Sequence, residues 1–312
     1  MAEPVIRVKA LRKSYGEVEA VRGIDLEVRS GEIFAFLGPN GAGKTTSVEI
    51  LEGYRERSDG EVSVLGIDPA HAKREWRERI GIVLQESRMH PELTVRETLE
   101  MFAGYFRRAR SVPDTISKVG LEHKAETRVA QLSGGQQRRL DVGVALVGDP
   151  ELLFLDEPTT GFDPAARRQF WDVIAGLREL GKTIFLTTHY MEEAQTLADR
   201  VAIIVAGRVA AEGRTEDLGG REAAAARISF LLPAGIAASE LPAEAAGELA
   251  TQVNGMIELS SERPVELLNL LTGWALERGL DLEGLEVRRP SLEDVYLRLT
   301  GGPDAELEDS PG

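Results

Sequence analysis

Apolar positions in this chain fall mostly in short, dense runs separated by polar and glycine-rich stretches. Ile33–Leu37, Leu152–Leu155, Thr183–Thr187 and Val201–Val205 are such runs. They are too short for helices and do not alternate, which is the pattern of strands buried on both faces. Helical spacing lies between them. Asp163 can cap a helix whose first turn takes Pro164 and which Gly181 ends. Thr94 and Glu97 have capping-box spacing, and Val95, Leu99, Phe102, Ala103 and Phe106 follow as a helical stripe. That stripe reads as core packing, or in part as a surface for a partner. Strand-like and helix-like segments alternate through residue 213, predicting an α/β sheet covered by helices on both faces.

The texture changes around 214–226, and residues 216–226 read as a linker with a short helix. Beyond it, Arg227–Leu232, Met256–Leu259 and Leu285–Arg288 look like strands, and Val265–Glu277 like a helix. Another helix is expected from Ser291, with Asp294 completing a weak capping box. The expected organisation is one domain over 1–215 and a small α+β domain over 227–301, the latter with no polar cluster suggestive of catalysis. Residues 302–312 are acidic and rich in proline and glycine, the composition of a disordered tail.

A chain of 312 residues can hold one large core and a smaller one. Its charge is uneven: residues 222–312 hold 17 acidic and 6 basic residues, −11 of the total −15. No basic stripe is left for nucleic acid, and no nucleic-acid partner is expected. The absence of cysteine excludes disulfides and thiolate metal sites. Met1-Ala2-Glu3-Pro4 does not have the form of a signal peptide. Every apolar run is far shorter than the roughly 20 residues that span a bilayer, so the chain alone is not expected to cross a membrane.

Candidate chemistry centres on Gly38-Pro39-Asn40-Gly41-Ala42-Gly43-Lys44-Thr45-Thr46. This run fits G-x-x-x-x-G-K-[ST], with a strand before it and a helical pattern after it. Glycines let the backbone curl so that successive N–H groups face a phosphate, and the helix N-terminus adds partial positive charge. Lys44 supplies an ammonium for the terminal phosphates, and the Thr45 hydroxyl suits Mg²⁺. Farther on, Asp156-Glu157 ends a hydrophobic run. Asp156 can serve the metal, while Glu157, sent elsewhere by the alternation of extended backbone, can polarise an attacking water. Alone, such a pair is weak; beside a phosphate loop it is strong.

With Leu132-Ser133-Gly134-Gly135-Gln136 between these two motifs, residues 4–215 resemble the nucleotide-binding subunits of ABC transporters. The order of Tyr15, the phosphate loop, Gln85, this signature, Asp156-Glu157, Gly161-Phe162-Asp163-Pro164 and His189 also matches, with Phe162 where leucine is usual. The resemblance implies a P-loop NTPase fold of the ABC ATPase type with a helical subdomain, and ATP hydrolysis with Mg²⁺ as cofactor. By the same resemblance Tyr15 would stack on adenine, and residues Gly38 to Thr46 would hold the phosphates. Thr45, Gln85 and Asp156 would serve the metal; Glu157, His189 and Gln85 would be catalytic. Ser133, Gly134, Gly135 and Gln136, before a helix expected from Gln136 onward, would contact ATP held by a second nucleotide-binding subunit. Asp163 would lie at the seam.

The run Pro290 to Gly301 resembles the end of daunorubicin-resistance-type ATPase subunits, which pair with a separate integral-membrane permease of the ABC-2 type. This implies an exporter ATPase, peripheral at the cytoplasmic face of the membrane, working as a homodimer or a heterodimer. Two other readings stand beside it. One is a soluble ABC ATPase of DNA repair or ribosomes, disfavoured by the lack of a second phosphate loop and of a basic stripe. The other is an importer ATPase, disfavoured only by residues 290–301.

Overall fold

The computed structural model describes residues 4–85, 89–215, 218, 225–233, 235–253, 255–288, 296 and 299. The chain forms two compact units, Met1–Thr215 and Glu216–Gly312.

The first unit opens with β1 (Ile6–Tyr15) and β2 (Val18–Val28), followed by β3 (Ile33–Leu37), α1 (Lys44–Leu51) and β4 (Asp59–Val64). Next come α2 (Arg74–Arg77) and β5 (Ile80–Val83), then the helices α3 (Val95–Ala103), α4 (Val112–Lys118) and α5 (Gly134–Val147). It closes with β6 (Leu152–Asp156), α6 (Pro164–Glu179), β7 (Thr183–Thr188), α7 (Met191–Leu197), β8 (Arg200–Val205) and β9 (Arg208–Arg214). The main sheet has the order β5-β6-β7-β3-β8-β9, parallel except for β9. Every residue of β3, β6 and β7 is buried, as non-alternating apolar runs require.

One expectation needs correcting. The first 28 residues do not take part in strand–helix alternation. β1 and β2 form an antiparallel hairpin, and β4 joins β1 to complete a separate three-stranded sheet. Their inward residues, among them Ile6, Val8, Val21 and Leu26, share a core with Val48 and Leu51 of α1 and with Phe34, Phe36, Phe154 and Phe185 of the main sheet. One face of the main sheet is therefore covered by α1 and a second sheet, not by helices alone.

Between β5 and β6 the chain runs through α3, α4 and α5, which pack on one another as a helical subdomain. The Thr94–Glu97 capping box forms in both directions, at 2.8 and 3.1 Å. Val95 and Leu99 are fully buried, whereas Phe102 and Ala103 are only partly so. Phe106 falls beyond the helix and lies against Gly148, where an added Cβ would come within 2.4 Å of its ring.

The second unit contains β10 (Ala226–Leu231), α8 (Ala243–Gly247), β11 (Leu249–Val253), β12 (Met256–Ser261), α9 (Pro264–Arg278) and β13 (Glu286–Arg288). Its antiparallel sheet has the order β11-β12-β10-β13. Leu267, Leu271 and Ala275 of α9 join Ile228, Phe230, Ile257 and Leu259 in a core of its own. β11 (Leu-Ala-Thr-Gln-Val) is an exposed edge strand too short and polar to stand out in sequence. The 216–226 linker, the helix expected from Ser291 and the 302–312 tail lie almost wholly outside the described residues.

Candidate active site

Parallel strands bring their C-terminal ends to one edge of the sheet, where open α/β sheets bind ligands. Three such ends meet here. The loop after β3 curls through Gly41 (φ +77°) and Gly43 (φ +101°), left-handed conformations that glycine adopts without cost. Gly38 is required for another reason: a Cβ there would sit 2.5 Å from the Ile204 carbonyl of β8. Gly43, the N-cap residue of α1, has no side chain to cap it, which suits its first N–H groups to an anion. Asn40, Gly41 and Thr45 are exposed around this loop, Pro39 and Thr46 partly buried, and Ala42 buried.

Lys44, the first residue of α1, is 5% exposed and turns back into the loop. Its ammonium donates to the carbonyls of Gly38 (2.8 Å) and Pro39 (3.2 Å) and lies 3.3 Å from Glu157 Oε1. The other oxygen of Glu157 is 3.2 Å from His189 Nδ1, on the residue after β7. Burial pushes the Glu157 carboxyl up, but Lys44 and His189 outweigh it and hold it below the ordinary glutamate value.

The divergence of Asp156 and Glu157 has a different cause from the one expected. β6 ends at Asp156, and Glu157 is not extended: its φ is +41°, a left-handed conformation that costs a non-glycine residue about 1–2 kcal/mol. Thr187 of the neighbouring β7 holds both acids. Its hydroxyl donates to Asp156 Oδ1 and accepts from the Glu157 N–H at 2.9 Å. Burial pushes the Asp156 carboxyl above its usual range.

Sequence reasoning missed four more residues around these acids. Thr187 read only as a strand residue. Arg138 of α5, 7% exposed, reaches carbonyls on either side of Glu157. Glu193 of α7 is fully buried and accepts from Thr159 (2.8 Å) and Trp171 (3.1 Å), linking the segments after β6 and β7. Glu52, just after α1, is 5% exposed, and its Oε1 has no hydrogen-bond partner among the described residues. Its carboxyl is pushed up to about 8, by burial first and then by Asp156 and Glu49. Only the capping-type pattern at Ser133 carried a readable signal for any neighbour of the site.

That pattern places the signature. α5 begins at Gly134, two residues earlier than expected, because Ser133 and Gln136 form a capping box: Ser133 Oγ accepts from the Gln136 N–H, and Gln136 Oε1 accepts from the Ser133 N–H. Ser133, Gly134 and Gly135 line a cleft of about 250 Å³ with Phe162 and Asp163. Asp163 itself caps α6 by accepting from the Ala166 N–H at 2.8 Å. Gln85, Arg138 and Glu157 line another cleft, of about 590 Å³. Tyr15, at the tip of the β1–β2 hairpin, is 42% exposed, with Lys13 and Arg55 5.2 and 5.3 Å from its ring centroid.

Thr45, Gln85 and Asp156 offer hydroxyl, amide and carboxylate oxygens, the hard donors that Mg²⁺ takes. Among the described residues no group of three or more His, Cys, Asp or Glu gathers that could hold a metal. The mix of hydroxyl, amide and carboxylate oxygens fits an ion that also takes phosphate oxygens.

A glycine-wrapped loop opening a helix, a buried lysine within it and a strand-end acid pair beneath it define a P-loop nucleotide-binding ATPase fold. Comparison with known proteins narrows the class. Residues 21–160 match the family described as ABC transporter, and residues 226–291 match the C-terminal domain of ABC transporter domain-containing protein-like chains. The chain is 41% identical over 308 residues to Nod factor export ATP-binding protein I of Rhizobium meliloti, covering 95% of this chain and 88% of that protein. It is 38% identical to Daunorubicin resistance ATP-binding protein DrrA3 of Streptomyces coeruleorubidus, covering 96% and 97%. Among solved structures, cbiO1 of Clostridium perfringens, part of the ABC transporter complex cbiONQ, superposes with a TM-score of 0.64 at 27% identity, covering 69% of this chain and 90% of that one. A dimeric ATP-binding cassette in a post-hydrolysis state with ADP and phosphate gives 0.60 at 28% identity, covering 67% and 98%. The chain belongs to the family of ABC transporter ATP-binding subunits.

Proposed function

We propose that this chain binds and hydrolyses ATP and, paired with a second nucleotide-binding subunit, powers export through a separate integral-membrane permease. The observation that carries the hydrolytic part is the convergence of Lys44, Glu157 and His189, linked at 3.3 and 3.2 Å. Glu157 would take the proton of an attacking water, and His189 would hold the carboxylate in place and reach toward the γ-phosphate. Residues Gly38 to Thr46 would cradle the phosphates, with Tyr15 stacked on the adenine. Thr45, Asp156 and Gln85 would hold Mg²⁺, which when bound neutralises phosphate charge.

Lys44 ties base strength to the nucleotide. A triphosphate competes with Glu157 for the same ammonium. Once Lys44 is drawn to phosphate, the strongest charge holding the Glu157 carboxyl down is withdrawn and the base gains strength.

The capped end of α5 supports pairing. Ser133, Gly134, Gly135 and Gln136 present a helix N-terminus, suited to the γ-phosphate of ATP held by another copy, with Asp163 beside it at the seam. Because one chain carries every element, a homodimer has two complete composite sites. The export assignment is supported by similarity to subunits named for Nod factor export and daunorubicin resistance. Among the described residues no helix is long and apolar enough to cross a membrane. The proposed location is therefore peripheral, at the cytoplasmic face beside the permease.

Glu157→Gln tests the core of this reading. The amide keeps the size but cannot accept the proton, so ATP binding should persist while turnover falls by about a hundred-fold or more. Steady-state ATPase assay and equilibrium ATP titration separate the two quantities. Hydrolysis near the wild-type rate would remove Glu157 from the base role.

A further inference from the structure

Arg138 is buried, sits on the signature helix, and makes contacts that no role described so far uses. It lies just over one turn inside α5, 7% exposed, with its guanidinium aimed at the strand exits. Nε donates to the Pro158 carbonyl at 3.0 Å and Nη2 to the Asp156 carbonyl at 2.9 Å. Nη1 donates to the Leu84 carbonyl and is 3.5 Å from that of Gln85. Asp141, one turn along the same helix, lies 3.7 Å from Nη1 and balances the charge. One planar fork thus joins α5, the exit of β5 and the exit of β6.

The two carbonyls on β6's exit flank Glu157 itself, the residue at φ +41°. A strained backbone persists only where its surroundings over-determine it; here Thr187 holds the Glu157 N–H, and one rigid donor set holds the carbonyls of the residues before and after it. Guanidinium suits this task because its donors are fixed in one plane, whereas an ammonium is a point charge on a flexible stem. A buried arginine serving only to hold helices together would not need to grip the carbonyls of both neighbours of the proposed base.

We infer that Arg138 is a positioning residue for Glu157, acting within its own chain: by clamping the carbonyls of Asp156 and Pro158 it helps hold the carboxylate where water is activated. This rests on the hydrolytic reading above. It assigns Arg138 to the half-site that holds ATP, although the residue is carried by the helix whose N-terminus is proposed to serve the other copy's ATP.

Arg138→Lys keeps the charge facing Asp141 and loses the fork. The expected result is a kcat at least ten-fold lower, with KM for ATP and the melting temperature little changed, because misplacing a catalytic group costs rate before binding. Mixed dimers locate the defect. Combined with Ser133→Arg chains, Arg138→Lys chains should recover ATPase activity, since one composite site then pairs an intact Glu157 with an intact signature. Combined with Lys44→Ala chains they should not, since both composite sites carry a defect on the ATP-holding side.

Recovery with Lys44→Ala, or with neither partner, would overturn the inference, the former placing Arg138 in the signature and the latter marking a general fold defect. The double variant Arg138→Gln/Asp141→Asn removes both buried charges together and must give the same pattern, which guards against an orphaned Asp141. A Lys44→Ala plus Ser133→Arg mixture is the reference. If it stays silent, the reading of pairing across copies falls, and the kcat against KM split of Arg138→Lys decides the inference alone, an unchanged kcat overturning it; if it recovers and the Arg138 pattern fails, only the inference falls.

Discussion

Glu52 gives a sharp quantitative test of how the first unit stores electrostatic cost. The perturbation is Glu52→Gln in metal-free, full-length protein. The acid is 5% exposed, and its pKa rises from 4.5 to about 8, through burial first and then the nearby Asp156 and Glu49 carboxyls. Between those two values the folded chain holds a proton that the unfolded chain has released. Stability is therefore full below 4.5 and falls as pH rises toward 8, opposite to the behaviour of a salt-bridged carboxylate. At about 1.4 kcal/mol per pH unit the loss amounts to about 5 kcal/mol. Glutamine keeps the shape and never ionises, so the variant escapes it. Thermal melts of the first unit's transition from about pH 5 to pH 9 should show wild type falling relative to the variant by about 10 °C or more. Curves that remain parallel across that range would refute the assignment, and would mean that water or rearrangement solvates Glu52 as well as it would be solvated in the open chain.

Three further outcomes are expected. Gly38→Ala puts a Cβ 2.5 Å from the Ile204 carbonyl, so urea unfolding should show a loss of about 1–3 kcal/mol from overpacking together with weaker ATP binding; unchanged stability would mean that β8 yields easily. Ser133→Arg should leave ATP binding by the monomer intact and block hydrolysis. Mixing it with Lys44→Ala chains should restore part of the activity, provided one intact site can turn over, and no restoration in an ATPase assay under that condition would count against pairing across copies. Truncation after Arg221 should give a folded first unit that binds ATP but self-associates or attaches to its permease more weakly, since each unit has its own core; an aggregating fragment in light scattering would show that the units depend on each other.

Much of this site could be read from the chain because its constraints are local. The phosphate loop is set by glycine spacing, and the acid pair by the end of an apolar run. What escaped depends on neighbours distant in sequence. Thr187 is an ordinary strand threonine until the β6–β7 register places it opposite Asp156. Arg138 looks like one of two adjacent surface arginines until α5 docks against the strand exits. Glu157 was expected to follow the pleat, but strand geometry had already ended, and nothing local marks a non-glycine residue for a left-handed turn. The β1–β2 hairpin was absorbed into a general alternation because its turn at Gly16 lacks a strong hairpin dipeptide. The start of α5 has a local signal as well: Ser133 and Gln136 have the same spacing as the capping pair Thr94 and Glu97.

The capping box at Ser133 has a consequence for which sequences this position can tolerate. Its Oγ already accepts the Gln136 N–H, which leaves the hydroxyl proton free to be donated elsewhere. Helix stability uses the oxygen's lone pair, and a phosphate would use its hydrogen. The two demands part company at aspartate, which caps a helix as well as serine does but carries a charge that repels phosphate. A screen for folded, abundant protein would accept that exchange, while a screen for transport would reject it. Stability and activity thus draw different boundaries around one side chain, and a library sorted on solubility alone would fill with chains that are well formed and inert.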